Sequence, residues 1–264
     1  MLKRQLRLPF FIPNHKLSMH FLVYFYQTKV YISFNLQSLK MNLYPVTVIE
    51  NFYDNPDAIR KFALAQKYTF CHDIAGITYT FPGCRTDDIS SLDKALYDKI
   101  CTKLVSVFHN AEHDYMRWAI ATSFQSVTAE YGQGVIHTDH NTIFAAVLYL
   151  TPNAPLNSGT SLFKKNKKFD ESAYLQALDG NDARFRAGNI EMDTTYHSMF
   201  DEIVRVNNVY NTLIIYEGRH FHAANQFFGK TLKDSRLAQV FFINKIDAQK
   251  HSSFPLNRTA AIKI

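Results

Sequence analysis

The spacing of hydrophobic positions changes once along the chain, near Arg117. Before that point apolar residues recur every three or four positions, which is the period of an amphipathic helix. Asn55 and Pro56 suit the cap and first turn of one helix, which we expect to run to about Lys67. A second helix is expected to begin near Ser90. Its apolar stripe consists of Leu92, Ala95, Leu96, Ile100, Leu104, Val107 and Phe108.

Beyond Arg117 apolar and polar residues alternate, which is typical of strands with one buried face. Helices followed by strands predict a mainly β fold with flanking helices, of the α+β class. We therefore expect an antiparallel sheet or barrel with N-terminal helical support, and not an alternating parallel sheet. The predicted strands cover about residues 44–49, 117–130, 143–151, 159–163, 209–216, 220–224 and 236–243.

Residues 164–207 interrupt this series of strands. Helical spacing within the segment predicts a helix there. The apolar positions concerned are Tyr196, Met199, Phe200, Ile203 and Val204. We accordingly expect a single domain over residues 41–264, with an insertion at about 164–207.

The first 40 residues differ in composition from the rest. They hold six basic residues and no Asp or Glu, whereas residues 41–264 hold 23 basic and 23 acidic residues. The net charge of +6 thus belongs to this N-terminal extension, and nucleic acid is an unlikely partner of the domain. The extension is interpreted as an organelle-targeting peptide, an added helix or strand, or a translated upstream region with Met41 as the working start. We favour the third interpretation, because the folded pattern begins at Leu43.

Cysteine usage favours a reducing, cytoplasmic compartment. Cys71, Cys84 and Cys101 are odd in number and widely spaced, which argues against a disulfide framework or a zinc–thiolate site. No apolar run approaches the roughly 20 residues of a membrane-spanning helix, so we expect no transmembrane segment. The sequence does not indicate an oligomeric state.

The candidate chemistry begins at His137-x-Asp139. Side chains two residues apart on an extended backbone leave the same face, so an imidazole and a carboxylate point to one place. They are two of the three ligands of the 2-His-1-carboxylate facial triad, which binds iron(II) and leaves coordination positions open. The motif is short enough to occur by chance, and a hydrogen-bonded core histidine is the ordinary alternative.

A distal histidine and an arginine follow in order. His222 is the expected third ligand; His220 competes with it, and the spacing of His222 from Gly218 and Arg236 favours His222. Arg236 opens an apolar strand, where a buried unpaired charge would be costly. A dicarboxylate ligand would pair with it through two hydrogen bonds, and a structural carboxylate is the alternative.

This order of motifs resembles the iron(II)/2-oxoglutarate-dependent oxygenase superfamily. The resemblance is nearest to the prolyl-4-hydroxylase-like branch, and it includes a poorly characterised phage and bacterial group. It covers roughly residues 43–245 and implies a double-stranded β-helix, also called a jelly roll. The motifs that carry it are Phe52 to Arg60, Pro82 to Arg85, His137 to Asp139 and Tyr216 to His222.

The resemblance also implies roles for five residues. His137, Asp139 and His222 would bind Fe(2+), with no catalytic residue beyond these metal ligands. Arg236 would anchor the distal carboxylate of 2-oxoglutarate, and Tyr131 would contact the same cosubstrate. The sequence departs from the pattern in two places. The gap before the first histidine is shorter than in prolyl hydroxylases, and an alanine stands two residues after the arginine where many relatives have Ser or Thr.

The implied activity is a dioxygenase that uses Fe(2+), O2 and 2-oxoglutarate to hydroxylate a substrate C–H bond. The substrate would be a peptidyl or prolyl side chain, or a small metabolite, by analogy of fold alone. Arg85 and Arg219 are further candidates for substrate contact. The alternative function is a non-catalytic, cupin-like module that binds metal or sugar. This alternative is disfavoured because the chain has all three expected metal ligands, His137, Asp139 and His222, together with Arg236.

Overall fold

The computed structural model describes residues 20–25, 28–33, 46–77, 79–107, 116–139 and 141–248. The chain divides into two compact units, Met1–Leu43 and Tyr44–Ile264. In the first unit, His20–Phe25 (β1) and Thr28–Ser33 (β2) pair as an antiparallel hairpin. The rest of residues 1–40 lies outside the described part of the chain, and the three interpretations of that segment stay predictions.

Four α-helices lie in the described part of the second unit, and each begins after an Asn or Asp cap. The cap side chain accepts a backbone N–H from the first turn in every case, as with Asn55 and the amide of Ala58 at 3.0 Å. The helix expected near Ser90 is in fact two helices, because Asp93 ends one and caps the next. The helices are Pro56–Leu64 (α1), Ile89–Leu92 (α2), Lys94–Ser106 (α3) and Glu171–Arg186 (α4).

Ten strands of this unit are described, and the predicted strands are confirmed with small shifts of their ends. Two short strands, β4 and β5, lie in the region between the first two helices. The strands are Val46–Ile49 (β3), Thr69–Phe70 (β4), Cys84–Arg85 (β5), Met116–Val127 (β6), Phe144–Tyr149 (β7), Thr160–Lys165 (β8), Phe200–Val206 (β9), Leu213–Glu217 (β10), Phe221–Ala224 (β11) and Arg236–Ala248 (β12).

The strands form two antiparallel sheets. The large sheet has the order β3-β10-β7-β12-β6-β5-β4, and the small sheet has the order β11-β8-β9. A bridge between His137 and His222 adds one more pairing beside β11. From β6 onward the chain passes repeatedly between the two sheets, so that neighbours within a sheet are distant in sequence. This topology is the double-stranded β-helix that the sequence predicts.

Four apolar clusters are described, and three of them define the layers of this fold. One lies between the large sheet and α1 to α3, and it includes Leu237, Phe241 and Ile243 from alternate positions of β12. The second fills the barrel interior and includes Tyr149 and Ala238. The third joins the outer face of the small sheet to α4. Its buried members are Ile136, Tyr174, Tyr196, Phe200 and Ala223. Residues two apart on a strand therefore face the same layer, and the residues between them face the opposite layer.

The helix predicted around residues 196–204 is wrong. Phe200–Val206 is strand β9, which pairs with β8, and the helix of this region is α4. Apolar residues at 196, 200 and 204 fit helix and strand alike, and tertiary pairing with β8 decides between them. Strand β9 therefore belongs to the small sheet, and the insertion at about 164–207 stays a prediction.

No helix within the described ranges has both the length and the apolar character that crossing a bilayer requires.

Candidate metal centre

His137 and His222 lie directly opposite each other on antiparallel backbone segments. The amide of His137 donates to the carbonyl of His222 at 3.1 Å, and the amide of His222 donates to the carbonyl of His137 at 2.9 Å. Residues paired in this way carry their side chains on the same face. The two imidazole rings accordingly lie 4.3 Å apart between centroids.

Each imidazole is fixed in one tautomer by the backbone. Nδ1 of His137 bonds to the carbonyl of Val135 at 2.9 Å, and Nδ1 of His222 bonds to the carbonyl of His220 at 2.8 Å. A carbonyl oxygen can only accept, so Nδ1 carries the proton in both rings. The neutral form of each ring then presents the lone pair of Nε2, as histidines that bind metal through this atom require.

Asp139 completes the cluster. Its backbone amide donates to the carbonyl of Gly218 at 2.8 Å. Its carboxylate oxygens lie 3.6 Å from Nε2 of His137 and 3.4 Å from Nε2 of His222. One ligand atom from each of the three residues lies within 4.8 Å of the other two, so the trio has the size of a metal-binding group. The turn at Gly218 depends on glycine, because a Cβ there would overlap the carbonyl of Thr142.

The charges of the cluster are strongly coupled. Burial opposes ionisation of Asp139, but the neighbouring imidazoles of His222 and His137 hold the pKa of its carboxyl far below the usual range. Burial also opposes protonation of His137, yet the nearby carboxylate of Asp139 raises the pKa of the imidazole. The site thus keeps an ionised carboxylate between two imidazoles, as a divalent cation would need.

Arg236 lies buried on the interior face of β12. Its Nε donates to the carbonyl of Ser158 at 2.9 Å, and Nη2 donates to Oγ1 of Thr160 at 3.3 Å. Its guanidinium carbon lies 5.4 Å from the centre of the Tyr149 ring. Burial lowers the pKa of Arg236. No carboxylate pairs with this guanidinium among the residues the structure describes, so the alternative of a structural carboxylate partner finds no support there.

Tyr216 lies beside the cluster, within range of the charge of Arg236. Its ring lies 4.7 Å from the ring of His222. Burial raises the pKa of its phenol well above the ordinary value, the charge of Asp139 raises it further, and the charge of Arg236 lowers it. One side chain therefore responds to both charged groups, which shows that the cluster and the arginine share the barrel interior.

Two of the candidate residues lie elsewhere. His220 contributes its carbonyl to His222, and its ring lies against Glu217, with Nε2 3.7 Å from the carboxylate. Tyr131 packs edge-on against Phe227 at 6.5 Å, and its hydroxyl is hydrogen-bonded by the backbone of Gly83. The structure thus brings His222, and not His220, into the cluster. Contact between Tyr131 and a cosubstrate stays a prediction.

Gln125 is a residue of this interior that sequence reasoning did not single out. It accepts a hydrogen bond from Nη2 of Arg85 at 3.1 Å and donates to the carbonyl of Pro82 at 2.8 Å. A glutamine among the apolar and small residues of a predicted strand is the signal that could have identified it. Arg219, the other arginine considered for substrate contact, is largely exposed and bonds Glu217.

The fold and the cluster together define a double-stranded β-helix protein with a candidate His-Asp-His metal centre in its barrel. The chain belongs to a family described as "Family of unknown function (DUF6445)", which matches residues 31–236. No curated protein matches the chain.

Several solved structures resemble the chain at low sequence identity. One is HygX from Streptomyces hygroscopicus with nickel and 2-oxoglutarate bound, with 9% identity and a TM-score of 0.44 over 75% of this chain and 82% of that one. Another is EvdO2 from Micromonospora carbonacea var. aurantiaca, with 14% identity and a TM-score of 0.44 over 81% and 91%. A third is a Trichoplax adhaerens prolyl hydroxylase in complex with a peptide fragment, with 10% identity and a TM-score of 0.38 over 75% and 82%. These likenesses are too distant for an activity to be inferred from them.

Proposed function

We propose that this protein is an iron(II)- and 2-oxoglutarate-dependent dioxygenase that hydroxylates a substrate C–H bond. The observation that carries the proposal is the arrangement of His137, Asp139 and His222. Their ligand atoms lie within 4.8 Å of one another, and both histidines are locked in the tautomer that presents Nε2.

The donor set fits iron(II). Two imidazole nitrogens and one carboxylate oxygen form the facial triad that non-haem iron(II) oxygenases use. Free cysteines are described at Cys71, Cys84 and Cys101, but the cluster contains no thiolate, which distinguishes it from a structural zinc site. When bound, iron(II) with 2-oxoglutarate and O2 supplies the oxidation of a C–H bond, and the oxo acid leaves as succinate and CO2.

Arg236 supports 2-oxoglutarate as the cosubstrate. A buried guanidinium without a carboxylate partner among the described residues is costly, and a carboxylate ligand would offset that cost. Ser158 and Thr160 hold two of its N–H donors, which fixes the plane of the guanidinium and leaves further donors for a bidentate carboxylate. A metal-storage or sugar-binding module has no use for this arginine.

The remaining residues around the centre orient groups and exclude water. Tyr216 and Tyr149 are buried beside the cluster and Arg236, respectively, and both phenols have pKa values raised by burial, so they stay neutral hydrogen-bonding groups. The substrate class that we propose is a peptidyl side chain, prolyl included, or a small metabolite. We propose no role for nucleic acid, because residues 41–264 are balanced in charge.

The test is an anaerobic titration of the purified full chain with iron(II) and then 2-oxoglutarate. A weak visible charge-transfer band should appear in the wild type and be absent in His222→Ala. His220→Ala is the matched control and should retain the band, because its ring lies against Glu217 and outside the cluster. Arg236→Gln should still bind iron(II). The 2-oxoglutarate concentration at which its charge-transfer band reaches half of the maximal intensity should be at least tenfold higher than in the wild type.

Oxygen then separates an enzyme from a binding module. Slow succinate release from 2-oxoglutarate, even without added substrate, supports the dioxygenase. A protein that binds iron(II) but neither develops the band nor releases succinate would be the cupin-like module instead.

A further inference from the structure

The side chain of Arg85 points into the barrel interior, which also holds the candidate metal centre. Along one row of the large sheet, Arg85 pairs with Gln125, Gln125 with Ala238, and Ala238 with Tyr149. Cross-strand partners carry their side chains on the same face. Because Tyr149 and Ala238 belong to the interior cluster, the side chain of Arg85 leaves the sheet toward the interior as well.

The guanidinium of Arg85 is held in place by three side chains. Its carbon lies 4.4 Å from the centre of the Phe81 ring and 5.4 Å from that of Phe242. Nη2 donates to Oε1 of Gln125 at 3.1 Å. The amide of Gln125 is itself fixed, since its Nε2 donates to the carbonyl of Pro82. Arginine stacked between aromatic rings is pre-organised for planar anions.

The segment that carries Arg85 is built to lie flush on β6. Gly83 has a φ of 68°, and a Cβ at this position would overlap the carbonyl of Ser126. Glycine alone combines this backbone conformation with so close an approach. The close packing of the segment Pro82-Gly83-Cys84-Arg85 on β6 therefore positions the guanidinium of Arg85 inside the barrel.

This guanidinium has an unused donor. Nε of Arg85 is buried and has no hydrogen-bond partner among the described residues. A buried donor without a partner destabilises the folded state, and more so when it is charged. No carboxylate side chain within the described ranges forms an ion pair with Arg85.

Electrostatics agree with this position. Burial lowers the pKa of Arg85 to about 10, and the charge of Asp139 raises it. In turn, the positive charge of Arg85 lowers the pKa of His137. Arg85 and the cluster thus lie within range of each other's charge.

Arg85 and Arg236 serve different ends of the interior. Arg236 precedes Ala238 on β12, whereas the guanidinium of Arg85 reaches Phe242 on the other side of that row. Phe242 lies six positions after Arg236, which separates their Cα atoms by about 20 Å along the strand. A carboxylate anchored at Arg236 and a carboxylate bound at Arg85 would therefore occupy different parts of the interior.

We propose that Arg85 binds a carboxylate group of the primary substrate beside the metal centre, with Gln125 as its positioning residue. The inference rests on the proposed metal site and deepens it, because it makes the substrate an acid. A carboxylate matches the planar guanidinium and would satisfy Nε.

The test uses manganese(II) as a paramagnetic probe in the full chain, with 2-oxoglutarate at saturation so that Arg236 is occupied. Acetate is the minimal carboxylate, and the relaxation rate of its methyl protons reports closeness to the metal. We expect a clear enhancement in the wild type and none for neutral acetamide. Arg85→Gln should reduce the acetate effect at least fivefold, while Arg219→Gln, an exposed arginine near Asp139, should leave it unchanged.

Two readouts separate this inference from the proposed function. Loss of the free manganese(II) electron resonance signal reports metal binding, and broadening of 2-oxoglutarate resonances reports the cosubstrate. If either fails in the wild type, the proposed function fails. If both succeed and acetate relaxation is the same in Arg85→Gln as in the wild type, the assignment of Arg85 is overturned.

Arg85→Lys covers the case in which the glutamine variant does not fold. Lysine keeps the charge but cannot form a bidentate pair, so acetate relaxation should fall at least threefold. An unchanged value in the folded lysine variant overturns the proposal. Methylphosphonate relaxed by the metal in place of acetate would overturn the assignment to carboxylates.

Discussion

Asp139 and Gly218 are joined by a hydrogen bond from the amide of the first to the carbonyl of the second, at 2.8 Å. This bond ties the segment after His137 to the turn that precedes His222. The carboxylate is thereby held 3.6 Å from one Nε2 and 3.4 Å from the other. Two remote parts of the chain thus build one site through backbone contacts, and the site should be sensitive to changes of the backbone as well as of the ligands.

Asp139→Asn should abolish stabilisation by metal. A ligand that binds the folded state at 100 times its Kd raises the free energy of unfolding by about 2.7 kcal/mol. The variant keeps the shape of the side chain but loses the negative charge that a divalent cation needs. The increase in its free energy of unfolding on addition of iron(II) or manganese(II) should therefore fall below about 0.5 kcal/mol. Chemical denaturation with and without metal measures both values. Asp201→Asn, an exposed carboxylate near Lys164, is the control that should keep the full gain.

Gly218→Ala should weaken the metal site without touching a ligand. An added Cβ overlaps the carbonyl of Thr142, so the turn must shift and carry the Asp139 contact with it. We expect a loss of about 1–3 kcal/mol in stability and at least tenfold in manganese(II) affinity. Gly180→Ala is the matched change in α4, where a Cβ meets nothing within 4 Å. That variant should gain about 0.5–1 kcal/mol and bind metal normally. Equal affinities in the two variants would contradict the role of the turn.

The strands and the shared face of His137 and Asp139 could be predicted from the sequence because both rest on local rules, whereas the barrel was implied by the family resemblance and the metal-binding role stays a prediction. Alternation of apolar residues identifies the strands, and His137 and Asp139 share a face because they are two apart. His222 and Arg236 were predicted as site residues from their order along the chain and from the family resemblance that this order carries. The structure brings His137, Asp139 and His222 together, and it buries Arg236 in the same interior.

Helix α4 could not be predicted, because its buried face is not purely apolar. The buried stripe consists of Tyr174, Asn181 and Phe185, and the exposed Gly180 interrupts the helix beside it. Asn181 is buried because its amide exchanges two hydrogen bonds with the backbone of Asp193, a contact that no local pattern reveals. The contact of Arg85 with Gln125 was missed for a similar reason, since it depends on the register between β5 and β6.

Arg236→Met should separate stability from cosubstrate binding. Removing the guanidinium loses its bonds to Ser158 and Thr160 but also removes the cost of burying an uncompensated charge. In the absence of ligand we therefore expect the free energy of unfolding to stay within about 1 kcal/mol of the wild type. Binding of 2-oxoglutarate, followed by the charge-transfer band, should fall by at least a hundredfold. A loss of stability above about 3 kcal/mol would instead make Arg236 a structural residue.

His197 is a half-buried group whose titration should be visible in the acid stability of the protein. Its Nδ1 accepts from the side-chain Nε2 of Gln133 at 3.4 Å, and its own Nε2 is buried with no partner among the described residues. Its ring packs edge-on against Tyr196 at 4.7 Å. Burial lowers the pKa of His197 to about 4, and the charge of Asp193 offsets this effect only in part.

Stability should therefore fall with acidification between about pH 6.5 and pH 4, and His197→Phe should reduce that fall. In this window the unfolded chain binds a proton at residue 197 while the folded chain does not, so protons favour unfolding. The contribution of one such proton is at most about 1.4 kcal/mol per pH unit. Phenylalanine keeps the ring on Tyr196 and cannot titrate. Urea denaturation at half-unit steps of pH measures how the free energy of unfolding of each protein changes with pH. The wild type should show the steeper dependence, by up to the contribution of this one proton. Parallel curves for the two proteins would show that His197 is protonated in the folded state.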